Sequence, residues 1–180
     1  MKIENEIKYK VINHKELKNK IEKLDFRFVK KIIQEDIYFN PPHKDFSKSK
    51  KYYLRIRKIG KGGNFEYHIV KNDIQTNEWT VKVENWEILA KILEFLDFKK
   101  ICVVNKERLV FQKGKIEIVM DKVKNLGNFI EIEFKGDPSR NTTMKLQKVA
   151  SALNLSQKDI VYGVGYPDLL MNKIKNNDKS

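Results

Sequence analysis

The chain has 180 residues, 41% of them hydrophobic, which is enough to close one domain and too apolar for disorder along its whole length. No apolar run is long enough to span a bilayer, and Met1-Lys2-Ile3-Glu4 reads as neither a signal nor a transit peptide. The formal net charge of +13 admits an anionic partner, but charge alone speaks to solubility and non-specific binding, and lysine excess is a common compositional drift.

In chain order, residues 3–11 alternate apolar and charged positions and predict a strand. Asn13 is placed to N-cap a helix with Glu16 at the third position, and Leu17, Ile21 and Leu24 form its apolar stripe. Asp36-Ile37-Tyr38-Phe39 is a further short strand, and Asn40-Pro41-Pro42 starts an irregular loop that ends near Lys51. Strands follow at 53–58, 65–71 and 77–83, with Gly62-Gly63 as a hairpin turn. A second helix carries Trp86, Leu89, Leu93 and Leu96 on one stripe. Three more strands cover 100–111, 115–121 and 128–135, the first two joined through Lys113-Gly114. A third helix is expected from about Arg140 to Leu153, with Met144, Val149 and Leu153 inward, and a short fourth from Ser156 with Asp159 at its third position. Lys173 to Ser180 reads as a frayed polar tail, so a single domain is expected over residues 1–172 with a tail at 173–180.

The strand-helix units repeat. Asn5-Glu6-Ile7-Lys8-Tyr9-Lys10-Val11-Ile12-Asn13 aligns with Asn77-Glu78-Trp79-Thr80-Val81-Lys82-Val83-Glu84-Asn85 at an offset of 77 − 5 = 72. The same offset matches Leu17 to Leu89, Ile21 to Leu93 and Leu24-Asp25-Phe26 to Leu96-Asp97-Phe98. Two related halves within one closed sheet explain an ungapped match of this length.

The strands then carry charges in a pattern. Glu4, Glu6, Lys8 and Lys10 share one face of the first strand, and Glu131 and Glu133 share a face of the last. Arg55 and Arg57 flank Ile56, Lys106 and Arg108 share a face, and so do Glu117 and Asp121. Each pair taken singly is an ordinary solvated face. Amphipathic helices, however, must cover the apolar strand faces from outside, so in a closed sheet the charged faces look inward. Such an interior is stable only when its charges are paired, hydrated or coordinating ions. Carboxylates there are hard ligands for Mg²⁺ or Mn²⁺, while Arg and Lys cradle phosphate oxygens.

Glu4-Asn5-Glu6-Ile7-Lys8 resembles the ExExK signature of the CYTH superfamily, the triphosphate tunnel metalloenzymes that include class IV adenylate cyclases and thiamine triphosphatases. The likeness continues in order through Asp36-Ile37-Tyr38-Phe39-Asn40, Asp45-Phe46, Leu54-Arg55-Ile56-Arg57 and Lys71. It extends through Lys106-Glu107-Arg108, Met120-Asp121-Lys122-Val123 and Leu126-Gly127-Asn128-Phe129-Ile130-Glu131-Ile132-Glu133, and closes at Tyr166-Pro167-Asp168-Leu169-Leu170. It therefore covers nearly the whole chain, and two of its blocks look most like the class IV cyclase branch.

The resemblance implies an α+β fold: an eight-stranded antiparallel β-barrel, the triphosphate tunnel, with helices packed outside and two pseudo-repeated halves. Residue by residue, it implies Glu4, Glu6, Asp121, Glu131 and Glu133 as ligands of Mg²⁺ or Mn²⁺. It assigns Lys8, Arg55, Arg57, Lys71, Lys106 and Arg108 to the triphosphate and places Glu78 on the tunnel wall. The family's Arg-x-Glu-x-Glu stretch is here Thr76-Asn77-Glu78-Trp79-Thr80, so one Arg and one Glu are missing, with Lys82 next along that wall.

Three readings of function follow. A class IV cyclase converts ATP to 3′,5′-cyclic AMP and pyrophosphate; a triphosphatase hydrolyses thiamine triphosphate, a nucleoside triphosphate or inorganic tripolyphosphate. The third is a non-catalytic module that binds RNA or polyphosphate through the basic loop Lys44 to Lys51, with Tyr52 and Tyr53 for stacking. The expected partner is a small triphosphate rather than a specific nucleic acid or a membrane, and a homodimer is left open. Cys102, the one cysteine, allows no internal disulfide and fits a reducing cytoplasm. His14, His43 and His68 lack zinc-type spacing, His14 reads as an exposed helix-start residue, and Gly60-Lys61-Gly62-Gly63 lacks the Walker spacing. Trp79 and Trp86 are expected in the outer helix-sheet layer.

Overall fold

The computed structural model describes residues 1–136 and 139–177. Its strands are β1 (Lys2–Val11), β2 (Arg27–Asn40), β3 (Tyr52–Ile59), β4 (Gly62–Val70), β5 (Gln75–Val83), β6 (Lys99–Lys113), β7 (Ile116–Val123) and β8 (Gly127–Phe134). They close antiparallel into a barrel in the order β1-β5-β4-β3-β2-β6-β7-β8. The helices are α1 (His14–Lys23), α2 (Phe46–Ser49), α3 (Trp86–Phe95), α4 (Thr142–Ala152) and α5 (Tyr166–Asn177).

The ring order expresses the repeat. Exchanging β1–β4 for β5–β8 returns the same ring, with β1/β5 and β2/β6 as its two seams. The equivalence reaches local geometry: Asn13 and Asn85 cap α1 and α3, accepting from Glu16 N at 3.3 Å and from Ile88 N at 3.0 Å. Asp25 and Asp97, which follow these helices, both take the left-handed conformation at φ 62°.

Closure sends one face of each strand outward, and helices cover part of that outer surface while β5 leaves Val81 exposed. Leu17 and Ile21 of α1 and Leu146, Ala150 and Leu153 at α4 pack with Ile7, Tyr9, Ile118, Met120, Ile130 and Ile132. Leu93, Trp86 and Leu89 at α3 pack on Ile37, Phe39, Leu54 and Ile56. Helix α5 differs. Its Tyr166 and Leu170 pack with Tyr38, Val104, Val123 and Phe129, which belong to the inward strand faces, so α5 closes one end of the barrel with an apolar plug.

Several expectations are corrected. The strand expected at Asp36–Phe39 runs from Arg27 to Asn40, because β2 is held by backbone pairing to β6 from Arg27↔Gln112 to Asn40↔Lys99. A helix not anticipated at Tyr166–Asn177 carries residues 173–177 of the expected tail, and 178–180 lie outside the described residues. The short fourth helix is a 3-10 turn at Gln157–Asp159. Met144 and Leu96 are exposed, since α4 turns Thr142, Leu146 and Ala150 inward and Leu96 sits beyond the end of α3. Gly62 and Gly63 open β4 rather than form the turn; a Cβ on Gly63 would collide with the Arg57 carbonyl oxygen. Trp86 packs as expected, whereas Trp79 is 38% exposed against Tyr67 on β4. His14 is half-buried, its Nε2 3.1 Å from the Phe129 carbonyl.

Candidate active site

Strand alternation carries Glu4, Glu6 and Lys8 of β1 into the barrel, and the pairing Glu6↔Glu133 and Lys8↔Glu131 sets β8 beside them. Arg55 and Arg57 enter from β3, four places from β8 in the ring and therefore on the opposite wall. Lys106 and Arg108 enter from β6. All of these line one cavity of about 960 Å³, counting its open mouth. Residues far apart in sequence thus meet because strand period and ring closure leave their side chains no other direction.

Each cation is oriented by a carboxylate. Asp36, fully buried, receives Arg57 Nε at 2.8 Å and Nη2 at 3.0 Å, and Arg55 Nη1 at 3.4 Å. Glu66 takes Arg55 Nε at 2.6 Å. Arg108 donates to both Asp121 oxygens, at 2.7 and 2.5 Å, and to Glu131 at 2.6 Å. Lys8 stands 3.3 Å from Glu131 and 3.5 Å from Glu6, and Lys106 stands 3.4 Å from Asp121. Tyr166 forms a floor under both lysines, at 4.6 and 4.9 Å from its ring centre, and its hydroxyl donates to Asp121 at 3.0 Å.

The expected site residues fall into three groups. Glu4, Glu6, Lys8, Arg55, Arg57, Lys106, Arg108, Glu131 and Glu133 line the cavity. Asp121 is wholly buried, its oxygens engaged by Arg108, Lys106 and Tyr166. Glu78 lies on the β5 wall, accepting from the Thr80 hydroxyl at 2.5 Å, whereas Lys71 is exposed just past β4 and does not line the cavity. Asp36, Tyr38, Glu66, His68 and Tyr166 are site residues to which the sequence reading assigns no role. The alternation that flags Arg55 and Arg57 also flags Glu66 and His68, which lie between Phe65, Tyr67 and Ile69.

The electrostatics distinguish two zones. At Asp36 burial opposes ionisation, but Arg55 and Arg57 outweigh it and hold the carboxyl well below the usual range. Burial is likewise outweighed at Glu66 by Arg55 and at Glu131 by Arg108 and Lys8. Toward Glu4 the carboxylates crowd one another: burial and then Glu131 push Glu6 up to about 7, and burial and then Glu4 raise Glu133. Burial followed by Arg108 pushes Lys106 down to about 8.

Raised proton affinity at Glu6 and Glu133 marks carboxylate crowding even with Lys2 paired to Glu4 at 2.8 Å, and an all-oxygen donor set of this kind fits a hard divalent ion. Glu4, His68 and Glu78 also bring donor atoms within 4.8 Å of one another. Among the described residues, no helix is long and apolar enough to cross a membrane.

The CYTH domain family matches residues 2–162. A protein of Methanocaldococcus jannaschii named "Putative adenylate cyclase MJ0240" is 35% identical over 168 residues, 88% of this chain and 94% of that protein. The PH1012 protein of Pyrococcus horikoshii superposes with a TM-score of 0.81 at 26% identity, covering 92% of this chain and 98% of that one. HpAC1 of Hippeastrum, described as having a dominant triphosphatase activity, shares the fold with a TM-score of 0.60 at 14% identity, covering 86% of this chain and 89% of its own. With the family matched along most of its length on a closed, charge-lined barrel, the chain belongs to the CYTH family.

Proposed function

We propose that this protein is a metal-dependent enzyme that holds ATP by its triphosphate inside the barrel and converts it to 3′,5′-cyclic AMP and pyrophosphate. One observation carries the reading: Lys8, Arg55, Arg57, Lys106 and Arg108, from three strands, line the same cavity as Glu4, Glu6, Glu131 and Glu133. A cavity in which both signs of charge converge suits an anion that arrives with cations of its own.

In this reading the five cations grip the phosphate oxygens, the arginines through their planar forks. Asp36, Glu66 and Asp121 fix the directions of Arg55, Arg57 and Arg108 before substrate arrives, so little reorganisation remains at the reacting centre. Glu4, Glu6, Glu131 and Glu133 would hold Mg²⁺ or Mn²⁺. When bound, such an ion neutralises phosphate charge and makes the phosphorus more electrophilic. The ribose 3′-hydroxyl attacks the α-phosphorus in line and gives its proton to a tunnel carboxylate, the bond to the bridging oxygen breaks, and pyrophosphate leaves with its charge spread over the arginines. Removing one of these oriented donors is expected to cost on the order of 10²–10³ in rate.

A triphosphatase would use the same grip, with water attacking the terminal phosphorus. Its support is that every cation of the cavity is suited to phosphate rather than to a base, and that the Hippeastrum relative carries such an activity. A nucleic-acid-binding module is less well supported, because the clustered arginines face the tunnel rather than an outer surface. The test is a panel of ATP, GTP, thiamine triphosphate and tripolyphosphate with Mg²⁺ or Mn²⁺, resolving every product. Cyclic AMP with stoichiometric pyrophosphate is expected; orthophosphate alone selects the triphosphatase, and no turnover of any of them defeats both.

A further inference from the structure

His68 has no part in the triphosphate grip, yet it is buried to 7% exposure on the tunnel face of β4. The pairing His68↔Glu78 sets it beside β5, and Lys2↔Glu78 with Glu4↔Thr76 brings β1 to the same wall. Its Nε2 is 3.6 Å from Glu78 Oε2 and 3.4 Å from Glu66 Oε2. Donor atoms of Glu4, His68 and Glu78 all fall within 4.8 Å of one another. Metal bonds of about 2.1 Å place donors roughly 3–4 Å apart, so small side-chain rotations would close the set.

We propose that Glu4, His68 and Glu78 form a mixed nitrogen–oxygen metal site that takes a first-row transition-metal ion in preference to Mg²⁺. It shares Glu4 with the carboxylate set and differs from it by the imidazole, whose nitrogen suits Mn²⁺, Co²⁺ or Zn²⁺. Magnesium prefers six oxygens and keeps much of its water.

Two further features fit a cation here. The first is that the protein already holds one: Lys2 Nζ lies 2.8 Å from Glu4 Oε1, with Glu78 and Glu133 adding to its field. The Lys2 side chain is half exposed, so it can withdraw to solvent when an ion replaces it. The second is the fixing of the donors from behind. The Thr80 hydroxyl donates to Glu78, and Glu66, beside the imidazole, is anchored by Arg55. Such outer contacts orient metal ligands. Thr80, the departure from the family's Glu on this wall, thus serves the neighbouring carboxylate.

The test uses the whole chain with metal alone and no triphosphate, so it stands or falls independently of the enzymatic reading. Pulsed EPR of bound Mn²⁺ is expected to show coupling to a directly bound ¹⁴N in the wild type and none in His68→Asn. By calorimetry, His68→Asn should lower Co²⁺ affinity on the order of 10–100-fold and leave Mg²⁺ affinity within about twofold. Lys2→Ala should raise Co²⁺ affinity. Absence of ¹⁴N coupling in the wild-type protein overturns the proposal, as does an equal loss of Co²⁺ and Mg²⁺ affinity in His68→Asn. The wild-type spectrum decides even if the variant fails to fold.

Discussion

Replacing Asp36 by asparagine isolates what orients the arginines. Asp36 is fully buried and receives three hydrogen bonds from Arg55 and Arg57, so the change leaves two buried guanidinium groups sharing Glu66. Removing one partner of a buried ion pair costs about 3–5 kcal/mol. Asparagine keeps the volume and one acceptor oxygen, which places the expected loss near the lower end, about 3 kcal/mol. In a domain of this size about 1 kcal/mol moves Tm by 2–4 °C, so the midpoint should fall by about 6–12 °C. The pH dependence has a definite sign. Burial opposes ionisation of Asp36, but the arginines outweigh it and depress the pKa; its contribution is therefore complete above the ordinary carboxylate range and lost as pH falls through the lower folded value. Thermal unfolding followed by circular dichroism should show the wild type and Asp36→Asn well separated at neutral pH and converging in acid. A shift under about 2 °C at neutral pH, or a gap that persists undiminished in acid, would refute the reasoning.

The double change Glu131→Gln with Glu133→Gln should abolish turnover while leaving the circular dichroism spectrum intact, and excess EDTA should silence the wild type; full-rate turnover in EDTA would count against metal dependence. Lys106, pushed down to about 8, should regain its proton when an anion binds against it. Above that pH, tripolyphosphate affinity should weaken as pH rises, and the calorimetric heat should depend on the buffer's ionisation enthalpy; a buffer-independent heat would contradict this. Gly63→Ala should destabilise the β3–β4 hairpin by at least about 1 kcal/mol, read as a lower Tm, because its Cβ meets the Arg57 carbonyl. Asn13→Ala should cost about 1 kcal/mol by removing the cap on α1, measurable by urea unfolding.

Strands with clean alternation, such as Ile3–Val11 and Ile130–Phe134, are legible because one face is charged and the other apolar, broken only by Asn5. Arg27–Ile33 is not. Its order Arg-Phe-Val-Lys-Lys-Ile-Ile does not alternate, most of it is exposed, and it is a strand only through backbone pairing with β6, which side-chain pattern does not record. Helix α5 escapes the sequence pattern for a related reason: its apolar residues seal the barrel end, a surface that does not exist until the sheet has closed. Paired charges mark most of the charged residues that line the cavity, but not its tyrosines, His68 or the segment 163–167. Linear spacing does not mark His68, because spacing governs ligands on one element, whereas His68 meets Glu78 and Glu4 across strand register. Lys71 shows the converse, since it follows the strand end and is out of phase with the inward positions Glu66, His68 and Val70.

The proposed function depends on cations from β1, β3 and β6 and carboxylates from β1 and β8 gripping one ligand together. A crystal structure with Mn²⁺ and tripolyphosphate tests this most directly. Anomalous density beside Glu4, Glu6 or Glu133, with phosphate oxygens on Arg55, Arg57 and Arg108, is the predicted result. Tripolyphosphate bound only to the Lys44–Lys51 loop, with the barrel empty of metal and anion, would contradict it.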